Sequence, residues 1–381
     1  MTEQQNLSQP RVPELDGVRG IAILLVLIWH YVAVTVPLDA GPFALPLRLV
    51  LSAAWSGVDL FFVLSGYLIG GILLDNRSTP NYFKAFYARR TCRIMPVYYV
   101  WLGLFVLFYN LPAIWASNPA LVPLFAQPQP IWTYATYTQN IAMAQSDLYG
   151  AVWLSITWSL AIEEQFYLVL PLLVRLTAAR WLPAILLAII AGTPVTRAAL
   201  LTAYPQAELP TYVLTICRTD ALLLGVLAAY VMRHAGWRQR IAQHRPVLYV
   251  AALLLWFSLA LMAVTPASQT TGIIWGYSGF ALMYVCLLLI ALTERRGPVS
   301  AVVRIRPLRA LGIMAYGVYL FHQPINGLWH ALSLQQTPIL KTPADALVTL
   351  AALLTTLTIA YLSWNYFEQR FVNIGRKVSY H

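Results

Sequence analysis

Charge is what this sequence has least of. Asp, Glu, Lys and Arg together make up 10% of its 381 residues, while 59% are hydrophobic; a soluble domain carries roughly 25% charged residues. So little charge cannot wet a globular surface, and the solvent of most of the chain must be lipid. Cysteine is scarce too. Cys92, Cys217 and Cys286 are far apart, each in or beside an apolar run, and show neither disulfide nor metal spacing, so no metal site is expected. The first 17 residues lack a basic n-region, and the apolar run after them lacks a small-residue cleavage site. That predicts a retained first helix rather than a removed signal peptide. Nor is there an internal repeat of the kind that marks inverted-repeat transporters.

What is present is long apolar runs. A bilayer-spanning helix needs about 20 predominantly apolar residues. Such runs lie near 18–36, 47–74, 94–111, 150–174, 181–203, 211–232, 247–265, 272–292, 308–332 and 344–364. They predict an all-α, polytopic integral membrane protein of about ten transmembrane helices. Residues 112–149 are too rich in proline and polar groups to span, and are expected to form a long external loop. The net charge of +11 would suit nucleic acid, but the basic residues sit in short clusters between the apolar runs. With the N-terminus cytoplasmic, 21 of the 25 Lys and Arg residues fall on the cytoplasmic side, and 112–149 has none. Inverting the topology would break the positive-inside rule at nearly every loop. Both termini are therefore expected in the cytoplasm. The predicted division is a cytoplasmic segment 1–17, a membrane domain 18–364 and a cytoplasmic tail 365–381.

Ionisable groups within membrane spans are costly and usually face an interior cavity, which makes each a site candidate. Arg19 and His30 are eleven residues apart in the first run. At 100° per residue they return to within about 20° of one face, roughly 16 Å apart along the axis. An anionic head at Arg19 would reach His30 with an extended arm, and coenzyme A has that shape. Asp59, deep in the second run, must be protonated, paired or hydrogen-bonded; His30, Arg218 and Arg93 are candidate partners. Arg90 and Arg93 share a helix face at i, i+3, and two guanidinium forks on one face make a phosphate clamp. Glu163 and Glu164 face directions about 100° apart, so at least one points into a polar cavity. Arg218 and Asp220 are expected to pair with each other. Tyr316, Tyr319 and His322 form a polar-tipped stripe at i, i+3, i+6.

Several of these stretches occur together in one known family. Leu15-Asp-Gly-Val-Arg-Gly-Ile-Ala with the Arg19–His30 spacing, the Arg-x-x-Arg of Arg90 and Arg93, and Trp158-Ser-Leu…Glu163 with Phe166-Tyr167 are three. Tyr316…Tyr319-Leu-Phe-His322 is the fourth. In this order they resemble the bacterial membrane acyltransferase family three, over about Pro13 to Lys377. One departure is Arg370, where the family often has proline after Trp364 and Glu368. The resemblance implies a ten-helix inner-membrane O-acyltransferase that takes an acyl group, commonly acetyl, from cytoplasmic acyl-CoA and delivers it to a hydroxyl, often of a cell-surface glycan. By position, Arg19, His30, Arg90 and Arg93 match the family's functional motifs and Glu163 matches its glutamate; Arg19, Arg90 and Arg93 are expected to hold the phosphates of acyl-CoA at the cytoplasmic mouth. Members with a fused extracytoplasmic hydrolase-like domain exist; none is expected in 381 residues.

Acyl transfer to an alcohol needs a base for the hydroxyl. His30 is the natural choice, with Asp59 or Glu163 as a carboxylate that orients its ring; His30 could instead carry the acyl group itself. Tyr316, His322 and Trp158 are the candidate substrate-binding side chains. A small-molecule or antibiotic acceptor is an alternative to a glycan, and a homo-oligomer is possible. A proton-coupled secondary transporter is the rival class, with the buried His, Asp and Glu as a proton relay.

Overall fold

A computed structural model describes residues 12–37, 39, 44–264 and 269–380. Residues 1–11 of the expected N-terminal segment, the end of the expected seventh span and His381 lie outside the described residues. Among the described residues the only regular structure is helical. Ten helices have 15 residues or more: α1 Pro13–Ile28, α2 Gly57–Asp75, α3 Tyr82–Tyr109, α4 Trp158–Leu176, α5 Leu182–Ala203, α6 Thr219–Arg233, α7 Arg245–Val264, α8 Tyr277–Thr293, α9 Ala315–Leu334 and α10 Pro343–Leu362.

Among the described residues, seven stretches are long and apolar enough to cross a membrane: Pro13–Ala33, Leu45–Asp75, Tyr82–Tyr109, Leu182–Ala203, Arg245–Met262, Gly272–Thr293 and Pro343–Arg376. They contain α1, α2, α3, α5, α7, α8 and α10. The other three helices occupy the remaining apolar runs but are shorter or more polar. Helix α4 holds Glu163, Glu164 and Arg175, α6 has only 15 residues, and α9 holds His322, Gln323, Asn326 and His330. All three contribute heavily to the interior, where polar side chains find partners rather than lipid.

Close backbone approach explains several small residues. Helices α2 and α6 lie so near each other that a Cβ on Gly66 would collide with the backbone carbonyl of Leu222, and one on Gly225 with that of Val63. Small residues permit such contact where burial of apolar surface gives helices no reason to associate. Gly17 and Gly20 of α1 likewise abut the segment Val303–Leu308, and Gly312 abuts α1.

Three boundaries differ from expectation. Helix α3 starts at Tyr82, twelve residues before the apolar run, so Arg89, Arg90 and Arg93 sit inside a 28-residue helix rather than ahead of it. The run 150–174 is broken before Trp158, and the run 211–232 is broken by a 3₁₀ turn Thr215–Cys217, so α6 starts at Thr219. The segment 112–149 contains four short helices, Pro112–Trp115, Val122–Phe125, Ile131–Ala135 and Gln139–Ser146. It packs on the bundle through buried Tyr134, Gln139 and Asn140. Asn140 donates to the Val213 carbonyl at 3.1 Å, and Gln139 to that of Thr157 at 2.8 Å. Residues read from composition as a loop thus form a lid with its own buried polar contacts.

Candidate active site

In the polar interior, two cavities among the described residues meet at one wall. The inner one, about 120 Å³, is lined by Arg19 of α1, Arg90 and Arg93 of α3, and Glu163 and Tyr167 of α4, with Tyr316 of α9 beside them. The helical spacing accounts for this: Arg90 and Arg93 are i, i+3, and Glu163 and Tyr167 are i, i+4. Tyr167 donates to Glu163 Oε2 at 2.6 Å, so the 2.5 Å contact with Ser65 leaves the serine as donor. Arg19 also reaches Asp16 Oδ1, one turn earlier, at 3.3 Å.

The outer cavity is about 1210 Å³. His30 forms part of its wall, together with Trp29, Trp55, Trp158, Tyr212 and Tyr277. Exposed Asp147, Tyr149 and Glu208 line it too, and among the described residues neither lysine nor arginine does. Trp158 and Tyr212 lie with ring centroids 4.5 Å apart, and Trp55 meets Tyr277 edge-on at 5.6 Å. Val58 and Tyr319 line both cavities. Tyr319 is held by a bond to the Ile156 carbonyl at 3.0 Å and a 2.5 Å contact with Ser159 Oγ. It forms the partition between a guanidinium-lined chamber and an aromatic, carboxylate-edged one.

His30 sits where α1 changes character. The helix continues from Trp29 to Ala33 as a π turn, a feature frequent at functional sites. His30 Nδ1 lies 3.0 Å from the Val26 carbonyl and 3.1 Å from His322 Nε2. The next residue, Tyr31, donates to the main-chain carbonyl of His322 at 2.9 Å and contacts Thr356 Oγ1 of α10 at 3.0 Å. Two bonds therefore tie the π turn to α9 at the same point.

The structure separates residues that the sequence grouped. Neither Asp59 nor Glu163 bonds His30 among the described residues; its ring partner is His322. Asp59 Oδ1 is bound by Arg218 Nη2 at 2.5 Å, both side chains fully buried. Arg218 and Asp220 do not pair with each other, contrary to expectation. Two residues apart on a helical path they point about 200° apart. Asp220 instead accepts from both terminal nitrogens of Arg197 at 3.1 Å and from Ser278 at 2.5 Å. The expected substrate-binding trio divides: Trp158 lines the outer cavity, Tyr316 lines the inner one and donates to the Ile94 carbonyl at 2.9 Å, and His322 is fully buried behind His30. Sequence reasoning passed over Tyr212, Tyr277 and Glu208. Glu208 and Tyr212 stand beside Pro205 and Pro210 at the start of one apolar run and Tyr277 lies inside another, so no spacing in the sequence joined them.

Over residues 12–365 the chain matches the acyltransferase domain family, and it belongs to that family. It is a multi-pass membrane protein that carries an acyltransferase domain. Among characterised relatives, the peptidoglycan O-acetyltransferase OatA of Listeria monocytogenes is 27% identical over 387 residues, covering 97% of this chain and 57% of the relative. The O-acetyltransferase OatA of Staphylococcus aureus is 25% identical over 379 residues, covering 96% and 58%. The chain thus spans a little over half the length of these relatives. No solved structure matches it.

Proposed function

We propose that this protein transfers an acyl group, acetyl by its relatives' chemistry, from cytoplasmic acyl-CoA to a hydroxyl of a cell-surface glycan, within the inner membrane. In this reading the ten long helices are ten spans with both termini in the cytoplasm. The carrying observation is the pair of cavities of opposite chemistry meeting at Tyr319, beside His30. Three arginines around one chamber suit the phosphates of coenzyme A, since guanidinium forks bind phosphate oxygens bidentately. Aromatic faces with carboxylates, and no lysine or arginine among the described lining residues, suit a polyhydroxyl acceptor rather than a polyanion. The name of the Listeria monocytogenes relative supports a peptidoglycan-type acceptor.

The reaction follows from that arrangement. His30 takes the proton of the acceptor hydroxyl, whose oxygen attacks the thioester carbonyl and forms the new C–O bond. The C–S bond breaks, and the departing thiolate receives the proton from His30. The arginines hold the donor, Arg19 about 16 Å below His30 by the rise of eleven helical residues, and the acyl end passes the Val58–Tyr319 wall to reach His30.

The test is acyl transfer from radiolabelled acetyl-CoA to a glycan acceptor by purified protein in lipid. His30→Ala should lose at least about 10²-fold in kcat, while Arg90→Gln and Arg93→Gln should raise the KM for acetyl-CoA. A folded His30→Ala protein with normal turnover would refute the mechanism, and unchanged KM values would remove the two arginines from the donor site.

A further inference from the structure

The two rings at the head of the outer cavity are linked in only one consistent way. His322 Nδ1 lies 2.7 Å from the main-chain carbonyl of Tyr319. A carbonyl only accepts, so this nitrogen carries a proton. His322 is fully buried with no carboxylate bonded to it among the described residues, and an unpaired buried cation is costly. The ring is therefore neutral and its Nε2 is an acceptor. The group facing that acceptor at 3.1 Å is His30 Nδ1, which also faces the Val26 carbonyl at 3.0 Å. Both neighbours of His30 Nδ1 are acceptors, so this nitrogen too carries a proton, shared between them. The lone pair of His30 is left on Nε2, in a ring that lines the outer cavity while His322 does not.

We propose that His322 is the positioning residue of this site: it holds His30 as the Nδ1-protonated tautomer, leaving Nε2 the base. The inference rests on the acyl-transfer reading for its kinetic consequence but not for its structural content. The role is the one an aspartate plays in a hydrolase triad, filled here by a neutral acceptor. When His30 Nε2 takes the hydroxyl proton, the resulting imidazolium keeps its Nδ1 proton and still donates it to His322 Nε2 and the Val26 carbonyl. No proton leaves the pair until Nε2 surrenders its own to the thiolate. Tyr31 reinforces the alignment, because its hydroxyl bonds the backbone of the very residue whose ring orients its neighbour.

The arrangement is read directly by nitrogen-15 spectroscopy of the full-length protein, histidine-labelled and reconstituted in lipid, with His30→Gln used to assign the resonances. In the wild type His30 should show a protonated Nδ1 and an unprotonated Nε2. His322→Leu removes the acceptor, and the Nε2-protonated tautomer should appear. His322→Gln puts an amide oxygen near the position of Nε2 and should restore the original tautomer. In turnover, His322→Leu should lower kcat by on the order of 10–10²-fold with the KM for acetyl-CoA within twofold, and His322→Gln should recover most of that loss. A wild-type His30 protonated on Nε2, or spectra unchanged by His322→Leu, would overturn the proposal, as would normal kcat in that variant. Absence of acyl transfer in every protein would instead sink the functional reading, and the nitrogen spectra would still decide the pair of rings.

Discussion

Asp59 shows how much a single side chain depends on its partner. Its carboxylate meets Arg218 through one close contact. The other oxygen of Asp59, with Nε and Nη1 of Arg218, finds no hydrogen-bond partner among the described residues. The guanidinium is compensated instead by aromatic faces, with Tyr277 4.0 Å and Tyr212 5.1 Å from its centre, the geometry of a cation–π contact. Removing one member strands a buried charge, which costs about 3–5 kcal/mol, whereas replacing both with apolar residues is often close to neutral. Asp59→Asn should therefore lower the thermal midpoint in detergent markedly, and the double variant Asp59→Leu with Arg218→Leu should regain most of it. The same double variant separates structure from chemistry. If it is stable and still transfers acyl groups, Asp59 belongs to the ion pair alone, and its place among the candidate catalytic residues falls.

Helix contacts set the next scale. The approach of α2 to α6 brings Asp59 on α2 and Arg218, the residue before α6, to one level, and it depends on glycine at the crossing. A methyl group on Gly66 or Gly225 would meet main-chain atoms of the facing helix, which cannot move aside as a flexible side chain can. Gly66→Ala and Gly225→Ala should each cost roughly 1–3 kcal/mol, read as a lower unfolding midpoint and a smaller yield of monodisperse protein. Gly103 of α3 supplies the control. A Cβ there meets nothing within 4 Å, and alanine is the better helix former, so Gly103→Ala should be neutral or slightly stabilising. An equal loss at all three positions would mean that helix–helix distance is not what the glycines provide.

Over the whole molecule, the distribution of basic residues and the two-cavity interior predict one orientation across the membrane. In a variant whose three cysteines are replaced by alanine, Gln145→Cys lies on the exposed face of the lid and Gln239→Cys on the exposed short helix Ala235–Gln243. A membrane-impermeant maleimide added to intact cells should label the first and spare the second until the membrane is opened. Labelling in the reverse order would invert the topology and with it the side from which the donor enters.

Composition and periodicity determined the all-helical character and ten apolar runs, because lipid admits only helices with their backbone groups satisfied internally. They also put Arg90 and Arg93 on one face and marked His30, Glu163 and His322 as residues that lipid alone would not tolerate, since those inferences need only local geometry and the cost of burying charge. The partners of those residues were not legible. Arg218 and Asp220 looked paired because they are neighbours in sequence, yet helical rotation turns them apart and hands them to Asp59 and Arg197. His30 seemed to want a carboxylate, and the fold gave it a second histidine from a helix nearly 300 residues on. Only tertiary structure could decide these pairings: a buried polar group takes the partner that packing brings within about 3 Å, and sequence distance has no bearing on which residue that is.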